Sequence, residues 1–562
     1  MTVSCSAGKG STTSGVNPGQ GGSSSAGAGI ITGNNGGNGI ITGNNGGSGG
    51  DTTVVSVDNP DTCEEAAANA TYVGCDFWPT VVYNPVYSVF DFAAVVANAG
   101  ATPAMVTVSR GGMMQTATVM PGSLAQIKLP WVPELKGADF DQATSGSRPT
   151  ASVRVNGGAY HLVSTVPVTV WQFNPVEYRK DAAELAAENT KCTFPPSMSN
   201  GDGTNCESVS ADAALLIPST ALTGNYRVST KSAVPGTGAA PDASGGFAIT
   251  ATQNATHVKI QLADALAAGT GVMAAKKGDV VEYDLNAGDV LELLGQPGQG
   301  VPHAELSGSI VAANQRVQVI GFNPLTNVPS PVVVNSGACC ADHLEETVLP
   351  AEVLGKHYLV AAPSTHKGTN SGHFVRFFGN FDGTTLGYKG TPPPGAPNTL
   401  SAGQVVEVDA TGGFEVLASQ PFAITSIMKS GTVQNGCTSG TTTADCFIGD
   451  PSMTDEVAVE QFRSQYIFLA PQDFEFNWAD VMVPDGANVV LDGVALAGTK
   501  ESVSPGWSVV RVPLMGGANM GAHKVTSDQA IGLQVMGFGH ATSYYYPGGL
   551  NLKIISEPPV VR

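Results

Sequence analysis

Residues 160–175, reading YHLVSTVPVTVWQFNP, constrain this chain more than any other stretch. Apolar and polar residues alternate on either side of a short break. Period-two alternation marks a strand with one buried face and one wet face. The pattern recurs in decayed form at 304–324, 414–428 and 523–538. Its alternating positions are Val168 and Val170, Val317 and Val319, Phe422 and Ile424, and Leu533 and Val535. The first two copies both end in Phe-Asn-Pro, and Pro167 and Pro421 stand in the break of two copies, as at a bend between strands on a sheet edge. A strand pair repeated four times calls for repeated β modules.

Two further landmarks accompany the copies. Tyr72, Tyr226, Tyr358 and Tyr466 each open an entry strand. Pro218, Leu222 and Tyr226 keep the same spacing as Pro350, Leu354 and Tyr358. A turn then leads into an alternating strand at Gly122, Gly288, Gly403 and Gly506. Glycine supplies the positive φ that a tight turn needs. The strands that follow, such as 405–408 and 509–512, are rich in β-branched residues. The expected fold class is all-β: tandem Ig-like β-sandwich modules after a disordered Gly/Ser/Asn-rich N-terminal tether. The reading divides the chain into a tether at 1–54 and modules at 55–200, 201–338, 339–449 and 450–562. Residues 180–188, KDAAELAAE, are the best helix candidate between modules.

A chain of 562 residues is too long for one core. Charged residues make up only 13%, while glycine (70) and proline (36) abound, the profile of a secreted β protein with many turns. The net charge of −20 argues against a nucleic-acid partner, which needs a Lys/Arg-lined surface. It also disfavours direct contact with an acidic membrane surface. Most cysteines fall in local pairs within Gly/Asn/Ser/Thr-rich loops: Cys63 with Cys75, Cys192 with Cys206, Cys437 with Cys446, and the adjacent Cys339 and Cys340. These read as disulfides formed in an oxidising compartment. Closing a short loop this way gains about 3 kcal/mol in the chain-entropy model. Cys339 and Cys340 either bridge each other or reach separate partners; the sequence leaves both open.

Cys5 stands apart. It follows Thr2, Val3 and Ser4, which look like the end of a bacterial lipobox without its preceding charged and apolar regions. On that reading Cys5 is lipidated and is the only membrane attachment, since no other segment has the roughly 18 consecutive apolar residues that span a bilayer. Residues 7–51 are dominated by Gly, Ser, Thr and Asn, with IITGNNGG at 30–37 and again at 40–47. Such a segment cannot bury enough apolar surface to offset its ordering entropy. As a flexible coil it reaches on the order of 35–40 Å. Residues 46–50 match G-x-S-x-G but lack the flanking strand and helix of a nucleophile elbow.

The chain resembles the N-terminal domain of IgGFc-binding proteins, in the form found in myxobacterial-type surface proteins. The matching segments are 160–175, 210–226 (SADAALLIPSTALTGNY), 318–324, 340–350 (CADHLEETVLP), 355–360 and 543–552 (SYYYPGGLNL). The resemblance implies an extracellular, non-catalytic β protein that adheres to a partner or a matrix. The cysteine-rich von Willebrand-type modules of animal relatives are absent from this sequence.

Candidate chemistry is sparse. Asp342, His343 and Glu346 form the densest cluster of metal-ligand types, set against a plain reading as an inter-module linker. Asp-Gly pairs at 382–383, 485–486 and 492–493 read as hairpin turns rather than calcium loops. His161 and Ser164 lie close in sequence, without a triad order. No cofactor is expected. The binding candidates are aromatic: Phe474, Phe476 and Trp478 alternate, and Tyr544, Tyr545 and Tyr546 close the last module. The expected function is non-catalytic surface adhesion to an extracellular glycan, matrix component or protein. The alternatives are a structural stalk or assembly component, or a secreted hydrolase or its accessory subunit.

Overall fold

The computed structural model describes residues 60–561 apart from 99, 140–150, 189, 191–205, 232–243, 299–302, 330–339, 438–443, 472 and 515–520. Cys5, the Gly-rich tether, Cys192 and Cys339 lie outside the described residues. The rest is nearly all β, arranged as four successive sandwich-like units. The expected helix is present at Ala182–Ala187, with Asp181 accepting from the N–H groups of Ala183 and Glu184 at its start. Disulfides join Cys63 to Cys75 and Cys437 to Cys446. Cys206 and Cys340 are also disulfide-bonded.

The repeated strand pair crosses each unit from one sheet to the other. In the first unit it is one strand, His161–Phe173. Its first half pairs with Gly74–Phe77 and Ala104–Arg110, its second half with Phe92–Ala97 and Ala213–Leu215. In the second unit Ile310–Ala313 belongs to one sheet and Val317–Thr326 to the other. The third divides likewise into Phe414–Ala418 and Phe422–Ile427. The fourth is again one strand, Gly521–Gly539, which changes partners from Arg463–Ala470 to Phe476–Pro484 after Ile531.

The entry tyrosines explain why the crossing sits where it does. The buried hydroxyls of Tyr226, Tyr358 and Tyr466 donate to the carbonyls of Val317 (2.5 Å), Phe422 (2.6 Å) and Ile531 (2.5 Å). Each acceptor marks the point where the crossing strand changes sheets. Each hydroxyl also accepts from the N–H three residues earlier: Thr223, Gly355 and Arg463. Tyr72 departs from this pattern. Its hydroxyl donates to Ile467 in the fourth unit at 3.3 Å and accepts from the Ile467 N–H at 2.9 Å. The turn glycines Gly122, Gly288, Gly403 and Gly506 all have the expected positive φ, between 68° and 89°.

Each crossing strand pairs with a short closing strand: Ala213–Leu215, Asp342–Thr347, Met453–Asp455 and Thr542–Pro547. The first three lie beyond residues 200, 338 and 449, so each sheet runs past the boundary expected from sequence. Ser152–Val155 shifts the other way, pairing with Val290–Leu294 in the second unit. The physical reason is that Gly-rich loops mark where the chain is exposed, whereas the ladder hydrogen bonds decide which sheet owns a strand. The four closing strands pack against one another around a common centre. The ring closes where Thr71 bridges Asn551 and the Leu552 N–H donates to Ala70. One apolar cluster therefore runs through several units, joining Tyr72, Trp171, Phe468 and Tyr544.

Replacing Tyr358 by Phe leaves the Phe422 carbonyl and the Gly355 N–H without their partner. Such a loss costs about 1–3 kcal/mol. Chemical denaturation of Tyr358→Phe is expected to show that loss with the β circular-dichroism spectrum unchanged.

Candidate functional site

The aromatic candidates lie in the core rather than on the surface. Phe474, Tyr544, Tyr545 and Tyr546 are fully buried, and Trp478 is 8% exposed. Phe474 meets Tyr544 edge-on at 4.8 Å, and Tyr544 stacks on Tyr546 at 5.6 Å. Phe476 is half-buried beside His366, with ring centroids 5.3 Å apart. Strand alternation predicts one wet face here. The closing strand has none, because neighbouring units cover its second face. Phe476–Pro484 is an interior strand, paired on both sides.

The metal candidates also disperse. Asp342 accepts from the Ala211 N–H (2.9 Å) and the Thr542 hydroxyl (3.0 Å). His343, next along the strand, turns to the opposite side, with Nε2 3.4 Å from Glu345 and 3.5 Å from Asn174. Glu346 accepts from the Thr454 hydroxyl at 3.1 Å. Among the described residues no three His, Cys, Asp or Glu side chains are placed to share a metal ion. His161 pairs with Asp76 at 2.7 Å and stacks on Trp78, whereas the Ser164 hydroxyl donates to the Val166 carbonyl. His161 and Ser164 therefore form no dyad.

Asp342 and Glu346 belong instead to a buried carboxylate hub. At its centre Asp212 accepts from Ser452 (2.6 Å) and from the N–H groups of Ala213, Glu345, Met453 and Tyr545. One side chain thus ties together all four closing segments. Asp450 accepts from the Cys340 and Gly431 N–H groups, and Glu456 from Ser426 (2.5 Å) and Gln534 (2.8 Å). Burial pushes these acids up, Asp455 to about 6, Asp450 to about 7 and Glu456 to about 8. Burial also raises Asp212, Asp342 and Glu346, opposed by the hydrogen bonds they accept.

The sign for stability follows. An acid whose proton is held more tightly in the folded chain stabilises the fold fully below its unfolded value, near 4, and loses that contribution as pH rises through its folded value. Asp76 and the buried, ion-paired Glu415 act oppositely: their ion pairs and hydrogen bonds lower them, and their contribution fades below about pH 4. Thermal stability is expected to peak near pH 4 and to fall between about pH 4 and 8, the folded values of these acids setting its upper end. Glu456→Gln, whose oxygen can accept from Gln534 while its amide donates to the Ser426 hydroxyl, has no titrating proton and is expected to flatten that fall; an unchanged slope would show that Glu456 does not cause it.

A cleft of about 880 Å³ opens to solvent between the second and third units. Two turns meet at its base. The position a Cβ would take on Gly308 (φ +87°) lies 2.7 Å from the Gly403 carbonyl, so a side chain there would force the units apart. Arg227 spans the seam, donating through Nη1 to Gly308 (2.7 Å) and through Nη2 to Asn380 of the third unit (3.2 Å). Both acceptors are carbonyls, and no carboxylate bonds the guanidinium. Burial lowers Arg227 to about 10, with Asp382 nearby partly offsetting this. Arg227 Nε and both polar side-chain atoms of Asn380 are buried without a hydrogen-bond partner. Lys277, Gln404 and Gln420 also line the cleft, and Pro559 and Val560 form part of its wall.

A sequence signal for this site existed. The residue after the entry tyrosine is Leu359 in the third unit and Ile467 in the fourth, but Arg227 in the second. A cation at a position that is apolar in two sister copies marks a departure from plain core.

A family model described as IgGFc binding protein matches residues 212–537, more than half of the chain. The chain belongs to that family. No curated protein matches it. The matched span begins at the hub residue Asp212 and contains Arg227, Lys277, Asn380 and Gln404 of the cleft. Membership gives the chain an extracellular role of the protein-binding type. Among the described residues no helix is long and apolar enough to cross a membrane.

Proposed function

We propose that this protein is a cell-surface lipoprotein, anchored through Cys5, that binds an extracellular partner in the cleft between its second and third units. One observation carries the docking site: a buried guanidinium and a buried amide, incompletely partnered, lie beside an open cleft at a seam. Buried polar groups in folded proteins are nearly always satisfied, so such a cluster points to something that completes it. The tether and the lipobox-like Thr2-Val3-Ser4-Cys5 support the anchor. The four-unit ring disfavours the stalk alternative, because a chain that returns its last strand to its first gains no reach.

Two measurements test this reading. Mass spectrometry of the native N-terminal peptide is expected to find diacylglyceryl on Cys5; an unmodified peptide would overturn the anchor. Ala402 is exposed on the cleft rim and contributes only a backbone N–H bond to Asp382. Ala402→Trp fills the cleft without disturbing a core. Beads carrying the full chain are expected to be retained on surfaces coated with mucin or IgG Fc, and Ala402→Trp beads are expected to be released. Retention unaffected by the substitution would remove the cleft as the docking place.

A further inference from the structure

We propose that the cleft takes an extended, acidic segment of a partner protein, with partner carboxylates meeting Arg227 and Lys277 and partner peptide groups meeting the cleft amides. The inference rests on the reading of this seam as the docking place.

Three observations carry it. The first is charge. Arg227 is buried with carbonyl partners only, and Lys277 stands exposed on the same cleft. A buried cation without an ion-pair partner gains most from an incoming carboxylate, which pairs in fork geometry with a guanidinium. On a chain of net charge −20 this local positive lining is selective, since the remaining surface repels an acidic ligand.

The second is the amide set. Asn380 presents one unpartnered donor and one unpartnered acceptor. A peptide unit offers the matching acceptor and donor. Gln404 and Gln420 supply further amides on the same walls.

The third is shape. Residues 557–561 run without helix or strand, and Pro559 and Val560 already pack into the cleft wall. The seam therefore accommodates an extended polypeptide, which favours a peptide over a branched sugar.

Asp382 opposes the proposed ligand from the cleft wall and supplies a control of opposite sign. The probe is a short fluorescent peptide of alternating Glu and Ser, titrated into the full chain at low salt and read by anisotropy. The same peptide with Gln for Glu is expected to bind about tenfold more weakly or worse. Lys277→Glu, at an exposed position, is expected to weaken the Glu peptide several-fold, and Asp382→Asn to tighten it. Binding is expected to fall as salt rises. Equal binding of the Glu and Gln peptides would overturn the acidic class. So would oligogalacturonate binding while both peptides stay silent, which would assign the cleft to a glycan. If Ala402→Trp abolishes retention on mucin or IgG Fc while the charge variants change nothing, the docking site stands and the acidic ligand falls.

Discussion

Asp212 accepts hydrogen bonds from four closing segments that are far apart in the chain. Three of those bonds come from backbone N–H groups on other units, whose positions side-chain rotation cannot adjust. The closing strands must therefore stand in one arrangement for all the bonds to form at once. Asp342 repeats the device by accepting from the first and the fourth unit. Buried networks of this kind are costly when half-satisfied and specifying when complete. Stacking the apolar faces would hold four sandwiches together in many orientations; the carboxylates select the ring.

That dependence also explains why the units keep the same internal plan. A closing strand reaches the centre only if the crossing strand beside it has changed sheets at the right residue. The entry tyrosines of the last three units fix that residue through a buried hydroxyl held between a carbonyl and an N–H. In the first unit Tyr72 ties the start of the ring to the fourth unit at Ile467. A residue that repeats a unit's internal corner elsewhere thus serves ring closure here.

The seam between the second and third units differs in chemistry from the hub. The hub meets its carboxylates with donors from within the protein, leaving only Asp450 Oδ2 among them buried without a partner. At the seam a guanidinium receives only carbonyls, and an amide receives nothing. Gly308 and Gly403 let the two turns approach closely enough to bring these groups together at one cleft. Membership in the IgGFc binding protein family, a protein-binding family, is consistent with the proposed docking at this seam.

The sequence by itself determined the β class, the four crossing strands, the turn glycines and two of the disulfides, because each rests on local alternation, a positive φ or a short loop. Residues 160–175 were legible as a bent strand for that reason. The tertiary structure alone decided what covers each face. Tyr544, Tyr545 and Tyr546 read as half-exposed until three other units close over them. Asp342 and Glu346 read as ligands or part of an inter-module linker until they meet N–H groups and hydroxyls from distant units. The cleft was visible only as an odd Arg227 beside an entry tyrosine, since Lys277 is brought to it by the fold of the second unit, and Asn380 and Gln404 by packing of the third unit against it. Burial and partnership depend on contacts between units, and no local period in the chain encodes which surfaces will meet.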